Sequence, residues 1–80
     1  MGQLEPITEI DATGLSCPMP VIELSSAIDQ IEIGQVVRLV ASDPTARVDV
    51  PVWCRMRRHR VLSIDEGDTG RLVFAVERRR

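Results

Sequence analysis

The segment Val36-Val37-Arg38-Leu39-Val40-Ala41 is almost continuously apolar and rich in β-branched residues. A strand of that kind belongs in the interior of a sheet. The stretches on either side of it have a different period. Before it, Val21, Leu24, Ile28 and Ile31 recur at spacings of three, four and three, which is one face of a helix. After it, Val50, Trp53, Cys54 and Met56 mark a second helix running to about Arg57 or Arg58. A buried strand held between two helices restricts the chain to an α/β arrangement with parallel pairing around that strand.

The punctuation places the remaining elements. Ile7 to Asp11 alternates as a short first strand, and Ala12-Thr13-Gly14-Leu15-Ser16 is a turn in which Gly14 can take a positive φ. Proline is tolerated only in the first turn of a helix, so Pro18 and Pro20 date the start of the first helix and put Cys17 at or next to its N-cap. Gly34 closes the connection after it. Ser42-Asp43-Pro44 is a second stop-and-start signal. Pro51 requires either that Asp49 caps the regular part of the second helix or that this helix kinks. Arg60 to Asp65 and Arg71 to Glu77 alternate on either side of the loop 66–70, an antiparallel hairpin.

The expected order is βαβαββ. Two helices of 10–14 residues cannot cover both faces of four strands, so the fold class is α/β, a two-layer sandwich with both helices on one face of a mixed sheet. Right-handed crossovers make the first three strands parallel and the last antiparallel. Eighty residues, read as a single domain over 1–80, bury only about 60% of the unfolded surface.

Composition excludes several classes of function. Trp53 and Phe74 are the only aromatic residues, too few for a base-stacking platform, which argues against direct nucleic-acid binding. No apolar run approaches the roughly 20 residues of a membrane span. Met1 to Thr8 has neither the basic start nor the apolar stretch of a signal peptide, so a cytoplasmic location is expected. Two cysteines and one histidine cannot supply four zinc ligands, and neither metal nor organic cofactor is expected. Residues 1–50 carry eight acids against Arg38 and Arg47, whereas residues 51–80 carry eight arginines against four acids. The surface is therefore polarised.

The chemistry resides in Cys17-Pro18-Met19-Pro20. A cysteine at a helix N-terminus feels the positive end of the helix dipole, which favours thiolate. Two prolines stiffen the first turn and leave the N–H groups of Met19 and Val21 as donors. A moderately activated thiol is the expectation, which suits exchange chemistry, where the best attacking thiol titrates near ambient pH.

These residues are familiar as a set. Asp11-x-x-Gly14-Leu15-x-Cys17-Pro18-x-Pro20, then Gly34, Ser42-Asp43-Pro44, Asp49-Val50-Pro51, Trp53-Cys54 and His59, resembles the TusA/SirA-like family of sulfur carriers. The resemblance runs from about Glu5 to Arg80 and implies the same two-layer sandwich. It implies that Cys17 is the catalytic residue of a sulfurtransferase, carrying sulfane sulfur as a persulfide. Gly14, Leu15, Pro18, Met19, Pro20 and Asp43 frame the site. The implied partners are a donor such as a cysteine desulfurase or a rhodanese, and an acceptor protein with a reactive cysteine, for which a DsrE-like protein is one class. Ser25 and Ser26 stand where members that feed tRNA thiolation often carry basic residues. Arg58 stands where many members place glycine, so it must take the conformation that glycine favours.

Other residues have blander readings. Cys54, beside Trp53 on a packed helix, reads as a small hydrophobe. His59 falls at the sheet end opposite Cys17, too far to be its base. The arginines of 55–60 and 78–80 read as a solvated end of the domain, and the competing function is a protein- or RNA-docking module built on that end. The thiol edge should collect Asp11, Asp43, Asp65, Glu66 and Asp68 against Arg47 and Arg71.

Overall fold

The computed structural model describes residues 8–67 and 69–80. The expected order βαβαββ is the order found: β1 (Thr8–Ala12), α1 (Met19–Ile28), β2 (Val36–Ala41), α2 (Ala46–Arg57), β3 (Arg60–Glu66) and β4 (Leu72–Glu77). Ile7, the expected first residue of β1, lies outside the described residues.

The sheet order is β1-β2-β4-β3. β1 pairs parallel with β2, and β4 pairs antiparallel with both β2 and β3. The first three strands therefore run the same way, as expected, with β4 inserted between the second and third. Burial explains this order. Leu72, Phe74 and Val76 of β4 are buried and their neighbours Val73 and Ala75 half-buried, whereas most of β3 is exposed. A strand apolar on both faces takes a central place, and one with Ser63, Asp65 and Glu66 takes the edge. The β3–β4 pairing slips between Val61 and Ser63, a bulge of the kind edge strands carry.

One face of the sheet holds the core. Ala12 of β1, Val37, Leu39 and Ala41 of β2, and Leu72, Phe74 and Val76 of β4 meet Leu24, Ala27 and Ile28 of α1 and Ala46, Val50 and Cys54 of α2 in one buried cluster. The opposite face is open, with a shallow groove of about 340 Å³ bordered by Arg38, Ser63, Asp65 and Val73.

Both helices begin at the same end of the sheet, at the row Ala12, Ala41, Leu72 and Glu66. At the other end, Arg78 donates from its guanidinium to the carbonyl of Ile28, the last residue of α1, and to that of Ile31 in the loop that follows. α2 runs continuously through Pro51. It begins earlier than a cap at Asp49 would allow: Thr45 is the N-cap, and Asp49 lies in the first turn. Pro51 is then the sixth helical residue, and the carbonyl of Arg47, on the exposed start of the helix, lacks its usual i+4 donor. At the C-terminus Arg58 takes the left-handed conformation, φ 65°, and the N–H of His59 closes back on the Cys54 carbonyl at 2.8 Å.

Candidate functional site

The thiol loop is held from both sides. Gly14, at φ 83°, turns the chain out of β1, and its N–H donates to the Ser42 hydroxyl at 2.8 Å. Leu15 folds back against the core, its N–H on the Ala12 carbonyl at 3.1 Å. Pro18 is the N-cap residue of α1, placing Cys17 immediately outside the helix, and the Cys17–Pro18 peptide is cis. Pro20 is fully buried, so the second proline is an anchor in the core as well as a stiffener of the first turn. Met19 stays at the surface, and its N–H is taken by the Ser16 carbonyl at 2.8 Å. The Met19 N–H is thus a donor, as expected, with a backbone carbonyl as its acceptor.

The loop between β2 and α2 supplies the other wall. One carboxylate oxygen of Asp43 accepts the N–H and the hydroxyl of Thr45, at 3.0 and 2.8 Å, and shapes the start of α2. Its second oxygen accepts the Cys17 N–H at 2.8 Å. These bonds, that from Cys17 foremost, hold the Asp43 carboxyl below the usual carboxylate range. The Sγ–H of the half-buried Cys17 donates to Asp49, which reaches it from the first turn of α2.

The electrostatics of the thiol differ from the sequence expectation. The hydrogen bond to Asp49, and after it partial burial, push the Cys17 thiol above its ordinary value. The Thr45 hydroxyl pulls the other way, and the charges of Asp49 and Asp43 add to the rise. The helix dipole does favour thiolate, but a full negative charge in contact with sulfur outweighs the half-charge of a helix end. Asp49 and Thr45 are the site residues that sequence reasoning missed, although Asp49 lies in a stretch quoted for the family resemblance. A signal was present: with α2 starting just after Pro44, Asp49 falls on its first turn, facing the end of the sheet where Cys17 sits.

The same edge carries the expected charges, partly paired among themselves. Arg47 forms an ion pair with Glu66, and Asp11 accepts from Thr13 and feels the positive charge of Arg71. Asp68 lies outside the described residues.

The remaining candidates stand apart. Cys54 is buried in the core, and burial pushes its thiol up to about 11. His59 sits at the far end of the sheet, where its Nδ1 accepts the Arg79 N–H at 3.2 Å and its ring lies 5.6 Å from that of Trp53. Burial, then the charges of Arg78 and Arg57, hold its pKa below the ordinary value. Arg57 covers the Trp53 ring at 5.6 Å.

Against known proteins, the family model Sulfurtransferase TusA matches residues 8–78. The chain belongs to the TusA family. It is 32% identical over 79 residues to the sulfur carrier protein TusA of Pseudomonas putida GB-1, covering 99% of this chain and 98% of that one. With the TusA of Pseudomonas entomophila it shares 33% identity over 70 residues, 88% of this chain and 86% of the relative. The crystal structure of a SirA-like protein from Desulfitobacterium hafniense superposes with a TM-score of 0.82. It covers 92% of this chain and 100% of that one at 24% identity, a likeness of fold. The TusA and SirA-like resemblance read from the sequence is thus borne out, as is the α/β sandwich.

Proposed function

We infer that this TusA-family protein is a sulfur relay in which Cys17 receives sulfane sulfur from a donor protein and hands it to a cysteine of an acceptor protein. The observation that carries this reading is the contrast between its two thiols. Cys17 reaches the surface at a helix start pinned by Asp43 and Asp49, whereas Cys54 is sealed in the core. The Pseudomonas relatives, named sulfur carrier proteins, support it.

In the loading step the Cys17 sulfur bonds to the terminal sulfur of the donor's persulfide and the donor's S–S bond breaks. The Cys17 proton ends on the departing donor sulfur. Sulfane sulfur moves with no net oxidation or reduction, so the carrier needs no cofactor. In the second step an acceptor thiol takes the terminal sulfur and returns Cys17 to the thiol. A cysteine desulfurase or a rhodanese has the chemistry of the donor. Asp49 at the Cys17 sulfur and Asp43 at its N–H, with Met19 and Ile22 exposed at 40% and 51% on the first turns of α1, fit partners whose docking surface is apolar with basic character.

The test is intact mass after incubation with a cysteine desulfurase and cysteine. A gain of one sulfur that reductant removes, absent in Cys17→Ser and retained in Cys54→Ser, is the expected result. No gain with the desulfurase, or with a rhodanese and thiosulfate in its place, favours the docking-module reading.

A further inference from the structure

The bond from Cys17 to Asp49 joins residues 32 positions apart and brings a carboxylate to the sulfur on which the relay reading depends. The groups facing this sulfur are few. From the loop before α2 come Asp43, already engaged by the N–H groups of Cys17 and Thr45, and the Thr45 hydroxyl. From α2 comes Asp49, whose carboxylate accepts no hydrogen bond besides that from Cys17 among the described residues. α1 brings no acid in its first turn. The nearby cation of α2, Arg47, is paired with Glu66, and Arg71 acts on Asp11. Among the described residues, no positive side chain therefore offsets Asp49 at the thiol.

We propose that Asp49 is the positioning residue of the relay, holding the empty carrier as a protonated thiol through its hydrogen bond and releasing the side chain once sulfur is loaded. The proposal rests on the reading of Cys17 as the sulfur-bearing residue.

The chemistry follows the proton. In the empty state the thiol donates to an ionised acceptor, a charge-assisted bond that fixes the direction of Sγ. As Sγ bonds to the donor's terminal sulfur, its proton leaves the hydrogen bond to Asp49 and ends on the sulfur that leaves the donor. A persulfide is a stronger acid than a thiol, so the loaded side chain is anionic near neutral pH. It then has no proton to donate, and the like charge of Asp49 repels it from the pocket toward the acceptor. When the acceptor's thiol takes the terminal sulfur, its proton returns to Sγ and the bond to Asp49 re-forms. An empty thiol held this way also resists stray oxidation, because the thiolate is the reactive form.

The test is the pH–rate profile for alkylation of Cys17 by iodoacetamide, read on the Cys17 peptide by mass spectrometry in the intact protein. In the wild type the midpoint should lie above that of the same cysteine in the urea-unfolded chain. In Asp49→Asn it should move to lower pH, with the rate at pH 7 rising severalfold. A loop that had merely opened would raise the high-pH plateau and leave the midpoint in place. Asp43→Asn should shift the midpoint less than Asp49→Asn, because its carboxylate meets the Cys17 N–H and not the sulfur. A wild-type midpoint at or below that of the unfolded chain overturns the proposal even if the variants do not fold, and so does an unchanged midpoint in folded Asp49→Asn. Alkylation requires no sulfur donor, so failure of sulfur loading with a normal profile would count against the relay reading and not against this one.

Discussion

The Asp43 carboxylate accepts the backbone N–H of Cys17 at 2.8 Å, joining two loops 26 residues apart while its other oxygen organises the start of α2. One side chain thereby fixes both the position of the thiol and the helix that brings Asp49 to it. Asp43→Ala removes both functions. We expect its melting temperature to fall by roughly 4–8 °C, the shift that a loss of about 1 kcal/mol in hydrogen bonding gives a domain of this size. Cys17 should alkylate faster in the variant as its loop loosens. A melting temperature and alkylation rate both equal to wild type would show that the bond positions nothing.

Pro20 is fully buried at the second position of α1. Pro20→Ala therefore loses packing as well as chain stiffness. Freeing the unfolded chain costs about 0.4–1 kcal/mol, and removing two buried methylene groups costs about 0.8 kcal/mol each. A loss near 2 kcal/mol in urea unfolding is expected, with slower sulfur transfer. A loss below 1 kcal/mol would mean that the core closes over the missing ring.

Arg58 ends α2 at φ 65°, a conformation in which a Cβ is strained. Arg58→Gly relieves that strain but gains entropy in the unfolded state. The balance should stabilise the protein by about 0.5–1 kcal/mol, seen as a higher urea midpoint with an unchanged slope. An unchanged or lower midpoint would show that the arginine side chain contributes more than the strain costs.

The sequence carried the fold further than it carried the site. Apolar period and proline placement located five of the six elements to within a residue or two and ran the sixth, α1, three residues past its end at Ile28, because Ile31 is buried and keeps the helical spacing outside the helix. They left open which strand takes the centre of the sheet, since hairpin chemistry at 66–70 pairs β3 with β4 without saying which of them meets β2. The cue was the apolar content of both faces of β4 against Ser63 and Asp65 on β3. Cys17 was legible from its prolines, and Asp43 from its place in Ser42-Asp43-Pro44. The rise in the thiol's pKa was not. It depends on Asp49 reaching the sulfur from 32 residues away, and Pro51 made Asp49 resemble a cap rather than a residue of the first turn.

Cys54 lies in the core with its pKa raised from the ordinary 9.0 to about 11. The folded state then keeps this proton longer than the unfolded state does. The resulting stability is fully present below pH 9, and it falls as pH rises toward 11. Melting temperature should decline across that window and decline less in Cys54→Ala. A wild-type curve that is flat from pH 9 to 11 would place Cys54 outside the core. At pH 8, iodoacetamide should modify Cys17 well before Cys54, because only the former reaches the surface.

The central claim is that sulfane sulfur travels on Cys17. It is tested most directly by supplying sulfur-labelled cysteine and a cysteine desulfurase, trapping the product by alkylation, and mapping the label by peptide mass spectrometry. The account predicts one labelled sulfur, on the peptide that contains Cys17, lost to reductant and to an added acceptor thiol. Label on the Cys54 peptide, or none on either cysteine while the desulfurase turns over, would contradict it.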